Sequence, residues 1–311
     1  MECVRPLRAS FDGEGRLSFS EKSWHKENEV FEFPCRKCIP CRANQASEKA
    51  TRAWHESQMH ENSIFLTLTY KDPGPVRLQY RDFQLFMKRL RKSRPGTVIS
   101  YLVTGEYGPK TKRPHYHALI FGYAPRKKTP IRENENGDKL YTSSEIEELW
   151  SVDKKPLGSH DFGEVTLQSA NYVARYALKK LDHGKDQDHD FHPIHKTGSK
   201  HALGKTWIEK YWKQTFAHGY VLSPDNKRLP IPRYYEDWFK KTHFNDYLLY
   251  VTEQKRLRRI KAEQRLAKEE YEYQIDFFNN QHAIPIGERP PRKQDAQIEI
   301  LKQKLKRLKN T

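Results

Sequence analysis

An α+β fold built on a mostly antiparallel sheet is what the order of elements predicts, running strand, helix, strand, strand, helix, strand through residues 64–180. The strands expected at 98–103 and 116–121 leave no room for a crossover helix, which argues against a parallel doubly wound sheet. Apolar residues at helical spacing in the flanking segments place helices beside the sheet, on one of its faces.

Each element has its own warrant. Residues 1–60 read as a cysteine-bearing N-terminal region followed by a helix over 43–60. Residues 64–70, Ile-Phe-Leu-Thr-Leu-Thr-Tyr, are β-branched and aromatic and close on Asp72-Pro73-Gly74-Pro75, the pattern of a central strand ending in a turn. Phe83, Phe86, Met87 and Leu90 give residues 78–90 a helical stripe. Residues 105–114 form a short connection and 126–139 a polar insertion. A helix over 144–150, a strand over 162–167 and a helix capped by Ser169 and running to about residue 180 complete the core.

Beyond residue 181 a helix is expected over 205–216, a hairpin around Asp225-Asn226 and a helix from Arg233. Residues 250–271 and the tail from Asp295 are basic helices with thin apolar stripes, Leu257, Ile260 and Leu266 in the first, Ile298, Leu301, Leu305 and Leu308 in the second. Such stripes pack on the domain, pair with another chain or stay solvated. The expected division is an N-terminal region at 1–60, a catalytic core at 61–182, an accessory region at 183–249 and a basic helical tail at 250–311.

The formal charge of +17 calls for a polyanionic partner, nucleic acid being the simplest, and the 36% apolar content supports a folded core rather than a disordered polycation. Lys88, Arg89, Arg91, Lys92 and Arg113 are the candidate DNA contacts. No run approaches the roughly 18 apolar residues of a membrane span, and the N-terminus lacks a secretory pattern, so a cytoplasmic protein with no membrane partner is expected. Residues 198–206 resemble a phosphate-binding loop, but the glycine spacing is five rather than four and no clear apolar strand precedes it.

Cys35, Cys38 and Cys41 lie in one knuckle-like run, with Cys3 far upstream. Four thiolates suit a structural Zn²⁺ if the N-terminal strand folds back beside the run; free thiols, a redox role or an iron-sulfur centre are the alternatives.

The segment Arg113-Pro114-His115-Tyr116-His117 opens an apolar strand, and alternation puts both imidazoles on one face. Glu106, nine residues before His115, is the best third ligand, and the mixed nitrogen and oxygen set suits Mg²⁺ or Mn²⁺. Taken alone, His-x-His also fits a hydrogen-bonded polar patch at a strand edge. Tyr172 and Tyr176 stand one turn apart on one helical face, each followed three residues later by a cation, Arg175 and Lys179. Such tyrosines can simply pack on a sheet. Beside a metal they suggest phosphodiester transesterification, with the phenol as nucleophile and the cations placed to hold a phosphate or the leaving oxygen.

At these residues the chain resembles the replication initiators of small single-stranded DNA phages of the gokushovirus branch, within the endonuclease superfamily named for histidine, hydrophobic, histidine. The resemblance rests on Phe65-Leu66-Thr67-Leu68-Thr69-Tyr70, on Thr104-Gly105-Glu106-Tyr107-Gly108, on Arg113-Pro114-His115-Tyr116-His117 and on the segment from Tyr172 to Lys179. Met1-Glu2-Cys3 and the run from Cys35 to Arg42 add to it. It implies a five-stranded antiparallel sheet, a divalent ion on Glu106, His115 and His117, and Tyr172 and Tyr176 as nucleophiles. It further implies nicking of single-stranded or locally melted origin DNA, a 5'-phosphotyrosine intermediate, a 3'-hydroxyl primer, and rejoining at termination. Arg175 stands where the family has a lysine, which makes the two tyrosines unequal. A host helicase and DNA polymerase are implied partners, since a helicase module is not seen. A transposase or relaxase of the same superfamily, or a non-catalytic nucleic-acid-binding protein, are the competing readings.

Overall fold

The computed structural model describes residues 3–72, 74–75, 77–108, 113–133, 137–179, 194–198, 201–280, 289 and 292–310, with the side chains of 175–179, 194 and 304–310 left aside. In chain order β1 (Leu7–Phe11), β2 (Leu17–Ser18) and β3 (Phe31–Phe33) precede α1 (Ile39–Ser57), β4 (Ser63–Tyr70), α2 (Tyr80–Ser93), β5 (Ser100–Tyr107) and β6 (Pro114–Phe121). Next come β7 (Thr129–Glu133), β8 (Lys139–Thr142), α3 (Ser144–Leu149), a short ribbon of β9 (Ser151–Val152) and β10 (Lys155–Pro156), β11 (Gly158–Glu164), α4 (Leu167–Lys179) and β12 (Ile194–Thr197). The rest comprises α5 (Lys205–His218), β13 (Val221–Leu222), β14 (Arg228–Leu229), α6 (Arg233–Thr242), α7 (Phe244–Leu249), α8 (Arg256–Asn280) and α9 (Lys293–Asn310). No helix among the described residues is long and apolar enough to cross a membrane.

The α+β class holds, but the sheet is larger than the five strands expected. Seven strands run in the order β12-β5-β6-β4-β11-β8-β7, each pair antiparallel. β7 comes from the polar insertion, exposed at every position and containing Pro130, and β8 from residues 139–142 between that insertion and α3. At the other edge, β12 comes from beyond residue 182. Polar rather than apolar, β12 precedes the glycine loop, where the Gly204 N–H is spent on the Glu56 carboxylate at 2.7 Å rather than left for a phosphate.

Helices cover both faces rather than one. In β4, Ile64, Leu66, Leu68 and Tyr70 point to one side, where Phe83, Phe86, Met87 and Leu90 of α2 and Ile146 and Leu149 of α3 pack with Trp150. Each large side chain removed from water there contributes about 1.5–3 kcal/mol. On the opposite side Leu102, Leu119 and Phe121 meet Ala46, Ala50 and Ala53 of α1 and Ala170, Val173 and Ala174 of α4. A third cluster, Ile208, Phe216, Tyr235, Phe239 and Tyr250, unites α5 and α6 with the helical segment that leads into α8.

The helix carrying the tyrosines starts three residues earlier than expected, capped at Thr166 rather than Ser169. Thr166 Oγ1 accepts the Ser169 N–H at 3.0 Å while Ser169 Oγ accepts the Thr166 N–H at 2.8 Å. This is a reciprocal capping box with Thr166 as the cap and Ser169 within the first turn.

Glu56, only 4% exposed, joins three parts of the chain. Its carboxylate accepts the Ser100 hydroxyl at 2.8 Å and the Gly204 N–H at 2.7 Å, and meets His60 Nε2 at 3.2 Å. Burial alone would raise its pKa, yet the bonds from His60, Gly204 and Ser100 together leave it lowered. The bonded carboxylate therefore stabilises the fold above the ordinary glutamate range, and that contribution is lost as pH falls through the lowered value. Glu56→Gln is expected to cost about 2 kcal/mol in chemical denaturation at neutral pH and to flatten the acid limb of the stability profile. An unchanged acid limb would show that these bonds do not bear on folding.

Candidate active site

The register of three strands builds the centre. His115 and His117 of β6 lie opposite Glu106 and Thr104 of β5 on one side and opposite Thr69 and Thr67 of β4 on the other. Opposed residues share a face, so the two imidazoles and the carboxylate project together on the α1 and α4 side. Glu106 is the next-to-last residue of β5, which runs to Tyr107, past the end at residue 103 expected for this strand.

Glu106 Oε1 is 3.0 Å from His115 Nε2 and 3.2 Å from His117 Nε2, and one ligand atom from each of the three residues lies within 4.8 Å of the others. His115 Nδ1 lies 3.1 Å from the Arg113 carbonyl, an acceptor only, which fixes the ring with Nε2 facing the Glu106 carboxylate and leaves Nδ1 to donate to that carbonyl when Nε2 binds an ion. The spacing also suits adjacent ligands on an octahedral ion, which at bond lengths of about 2.1 Å stand about 3 Å apart. Burial lowers the pKa of His117, outweighing the pull of Glu106, and keeps its imidazole neutral as a ligand must be. Glu106, His115 and His117 thus fit a divalent ion of the Mg²⁺ or Mn²⁺ type.

Sequence reading missed three supports of this centre. Thr67 Oγ1 is 3.3 Å from His117 Nδ1, and the Phe65 ring stacks on His117 with centroids 5.8 Å apart. The alternation Phe65-Leu66-Thr67 could have revealed both, since it sets Phe65 and Thr67 on the face away from the leucines. The third is Gly105: a Cβ there would stand 2.9 Å from the ring of Tyr116, the residue between the histidines in sequence, which is fully buried on the opposite face of the sheet. Gly105→Ala is expected to push that ring aside, costing about 1–3 kcal/mol and weakening Mn²⁺ binding by shifting Glu106. Thermal melts with and without Mn²⁺ measure both; wild-type values for each would refute the packing argument.

The tyrosine helix reaches this centre. The Tyr172 ring meets His117 edge-on at a centroid distance of 5.2 Å and Phe65 at 6.0 Å, and the residue is half-buried. Tyr176 and Lys179 belong to α4, but their side chains, like that of Arg175, lie outside the described residues.

The basic candidates do not gather here. Lys88, Arg89, Arg91 and Lys92 are on α2, across the sheet from the histidines. Arg89 donates to the Leu149 carbonyl and Arg91 to the Ile99 carbonyl at 3.0 Å, so both tie α2 to neighbouring chain. Arg113 is exposed and immediately precedes the strand bearing the histidines. The four cysteines do converge, with one sulfur from each within 4.8 Å of the others.

An antiparallel sheet that presents two histidines and a glutamate beside a tyrosine helix defines a metal-dependent nuclease of the histidine, hydrophobic, histidine class. Residues 63–181 match the family model for replication-associated proteins of the ORF2 type. The chain is 47% identical over 320 residues to the replication-associated protein VP4 of Bdellovibrio phage phiMH2K, covering 99% of this chain and 98% of that protein. It is 31% identical over 284 residues to the replication-associated protein ORF2 of Spiroplasma virus 4, covering 82% and 86%. With the replication-associated protein ORF4 of Chlamydia phage 1 it shares 32% identity over 237 residues, covering 72% and 58%. No solved structure matches the chain. The chain belongs to the ORF2 family of replication-associated proteins, which includes initiators of single-stranded DNA phages.

Proposed function

We propose that this protein starts and ends rolling-circle replication by nicking single-stranded origin DNA through a tyrosine. The observation that carries the reading is the contact of Tyr172 with His117, which puts a phenol beside the histidine and glutamate centre. The phenolic oxygen attacks phosphorus, the phenolic proton passes to solvent or a neighbouring base, and the bond from phosphorus to the 3'-oxygen breaks. That oxygen gains a proton and becomes a free 3'-hydroxyl, while the 5'-phosphate stays on the tyrosine. A second phenol, Tyr176, allows the reverse exchange at termination, with Arg175 and Lys179 available to hold phosphate oxygens.

A divalent ion held by Glu106, His115 and His117 would polarise the scissile phosphate and offset the charge that develops on it. The rest is positioning by the chain. Thr67 and the Arg113 carbonyl orient the imidazoles, Phe65 flanks His117, and Gly105 lets Tyr116 fill the space beneath. In this reading the scissile strand runs on the α1 and α4 side, with Arg113 in reach and the α2 cluster serving at most distant phosphates.

Extension of the 3'-hydroxyl and unwinding ahead of it fall to a host DNA polymerase and helicase in the bacterial cytoplasm. Residues 61–182 supply the chemistry, with β12 as an edge support. Self-association through the tail belongs to the same proposal, since Leu257, Ile260, Ile275 and Phe278 of α8 are exposed.

The test is incubation of the full chain with circular single-stranded origin DNA and Mn²⁺ or Mg²⁺, followed by denaturing electrophoresis. A covalent protein–DNA band with a free 3'-hydroxyl end is expected. Saturated DNA binding without such a band under either ion would favour a binding-only protein.

A further inference from the structure

Cys3 and the run of Cys35, Cys38 and Cys41 take no part in the nicking chemistry, yet their sulfurs converge. Cys3 Sγ and Cys38 Sγ are 3.8 Å apart, far longer than the roughly 2.0 Å of a disulfide. It equals the edge of a tetrahedron whose metal–sulfur bonds are about 2.3 Å, for which sulfurs stand about 3.8 Å apart. Two backbone amides aim at the sulfurs as well: the Cys35 N–H donates to Cys3 Sγ and the Cys38 N–H to Cys35 Sγ, each at 3.3 Å. Arg36, at φ 58°, makes the left-handed turn between Cys35 and Cys38. Amide donors favour thiolates, and thiolates this close repel one another unless a cation sits among them. Sulfur-only donors at tetrahedral spacing select zinc over the harder ion expected at the nuclease centre.

The cluster sits where α1 begins. Cys38 is the cap residue of α1 and makes no side-chain capping hydrogen bond, so a metal held by Cys38 and Cys41 would tie that first turn together. Along its length α1 lays Ala46, Ala50 and Ala53 against Ala170, Val173 and Ala174 of α4, the helix that carries Tyr172. Small residues on both sides make the contact close and therefore sensitive to a shift of either helix.

We propose that Cys3, Cys35, Cys38 and Cys41 bind one structural Zn²⁺, and that this ion pins the N-terminus to α1 so that α1 can brace the tyrosine helix. The bracing half rests on the nuclease reading above; zinc binding does not.

Elemental analysis of the full-length protein purified without added metal is expected to find one zinc per chain. Replacing zinc by Co²⁺ should produce the near-ultraviolet charge-transfer band of cobalt thiolate, which histidine and carboxylate ligands do not give. Cys38→Ser should lower both zinc content and melting temperature. Chain stripped of zinc and assayed in excess Mn²⁺ should form covalent adduct about tenfold more slowly, with recovery on adding one equivalent of Zn²⁺. Wild-type protein that carries no zinc and gives no cobalt-thiolate band, or a Cys3–Cys38 disulfide seen by mass spectrometry, would overturn the site. A stripped chain with unchanged melting temperature and adduct rate would overturn the brace. If even zinc-loaded protein forms no adduct, the nuclease reading fails, while zinc content and melting temperature still decide the site.

Discussion

A chain with both Tyr172→Phe and Tyr176→Phe is expected to melt near the wild-type temperature, bind single-stranded DNA and Mn²⁺ normally, and form no covalent adduct. Phenylalanine keeps the ring that packs edge-on to His117 and Phe65, so only the hydroxyls are lost. Without a phenolic oxygen no ester to phosphorus can form, and cleavage should fall by at least about a thousandfold, to whatever water can do at the same centre. The single variants should differ from each other. Arg175 follows one tyrosine and Lys179 the other, and a planar fork holds phosphate differently from a point charge. Peptide mapping of the DNA-linked residue in each single variant identifies which phenol opens the cycle. An adduct persisting in the double variant would remove both tyrosines from the mechanism.

How much of this was legible in the sequence depends on the range of the interaction. Alternation is local, so His115 and His117 were read onto one face from spacing alone, and helical spacing paired Tyr172 with Tyr176. Glu106 was found, but its strand was ended at residue 103, and only the structure shows that Gly105 is there to admit Tyr116. Helices on both faces were not legible. The second face of β4 carries Phe65, Thr67 and Thr69, which reads as half-solvated, and its covering helices meet the sheet through alanines that leave little hydrophobic signal. β7 was missed because an exposed edge needs no apolar pattern, and β8 and β12 because strands of four residues are too short for alternation to show. The basic end of α2 was read for its charge, and charge density carries no information about which side of the sheet a helix takes, here the side away from the histidines. The cysteines were grouped correctly in sequence, while the return of Cys3 to the run is a long-range contact that spacing could only suggest.

His117→Ala is expected to abolish the thermal shift produced by Mn²⁺ and to slow adduct formation by about three orders of magnitude, the equivalent of about 4 kcal/mol of electrostatic stabilisation. Its imidazole is held from three directions, by Glu106 at 3.2 Å, by Thr67 at 3.3 Å and by stacking on Phe65. Removing it therefore takes away a ligand and also the group that keeps Glu106 aimed. His115→Ala should do the same but less completely, because His115 is the more exposed of the two imidazoles. Nonspecific affinity for single-stranded DNA should survive in both variants, since a chain of net charge +17 draws on many lysines and arginines for phosphate contacts. Filter binding at several salt concentrations, run beside the adduct assay, separates the two effects. Equal loss of DNA affinity and cleavage would mean that His117 supports the nucleic-acid surface rather than an ion. An intact Mn²⁺ shift would mean that the ion binds elsewhere, because a site with only one nitrogen and one carboxylate left cannot hold Mn²⁺ as tightly as the full set.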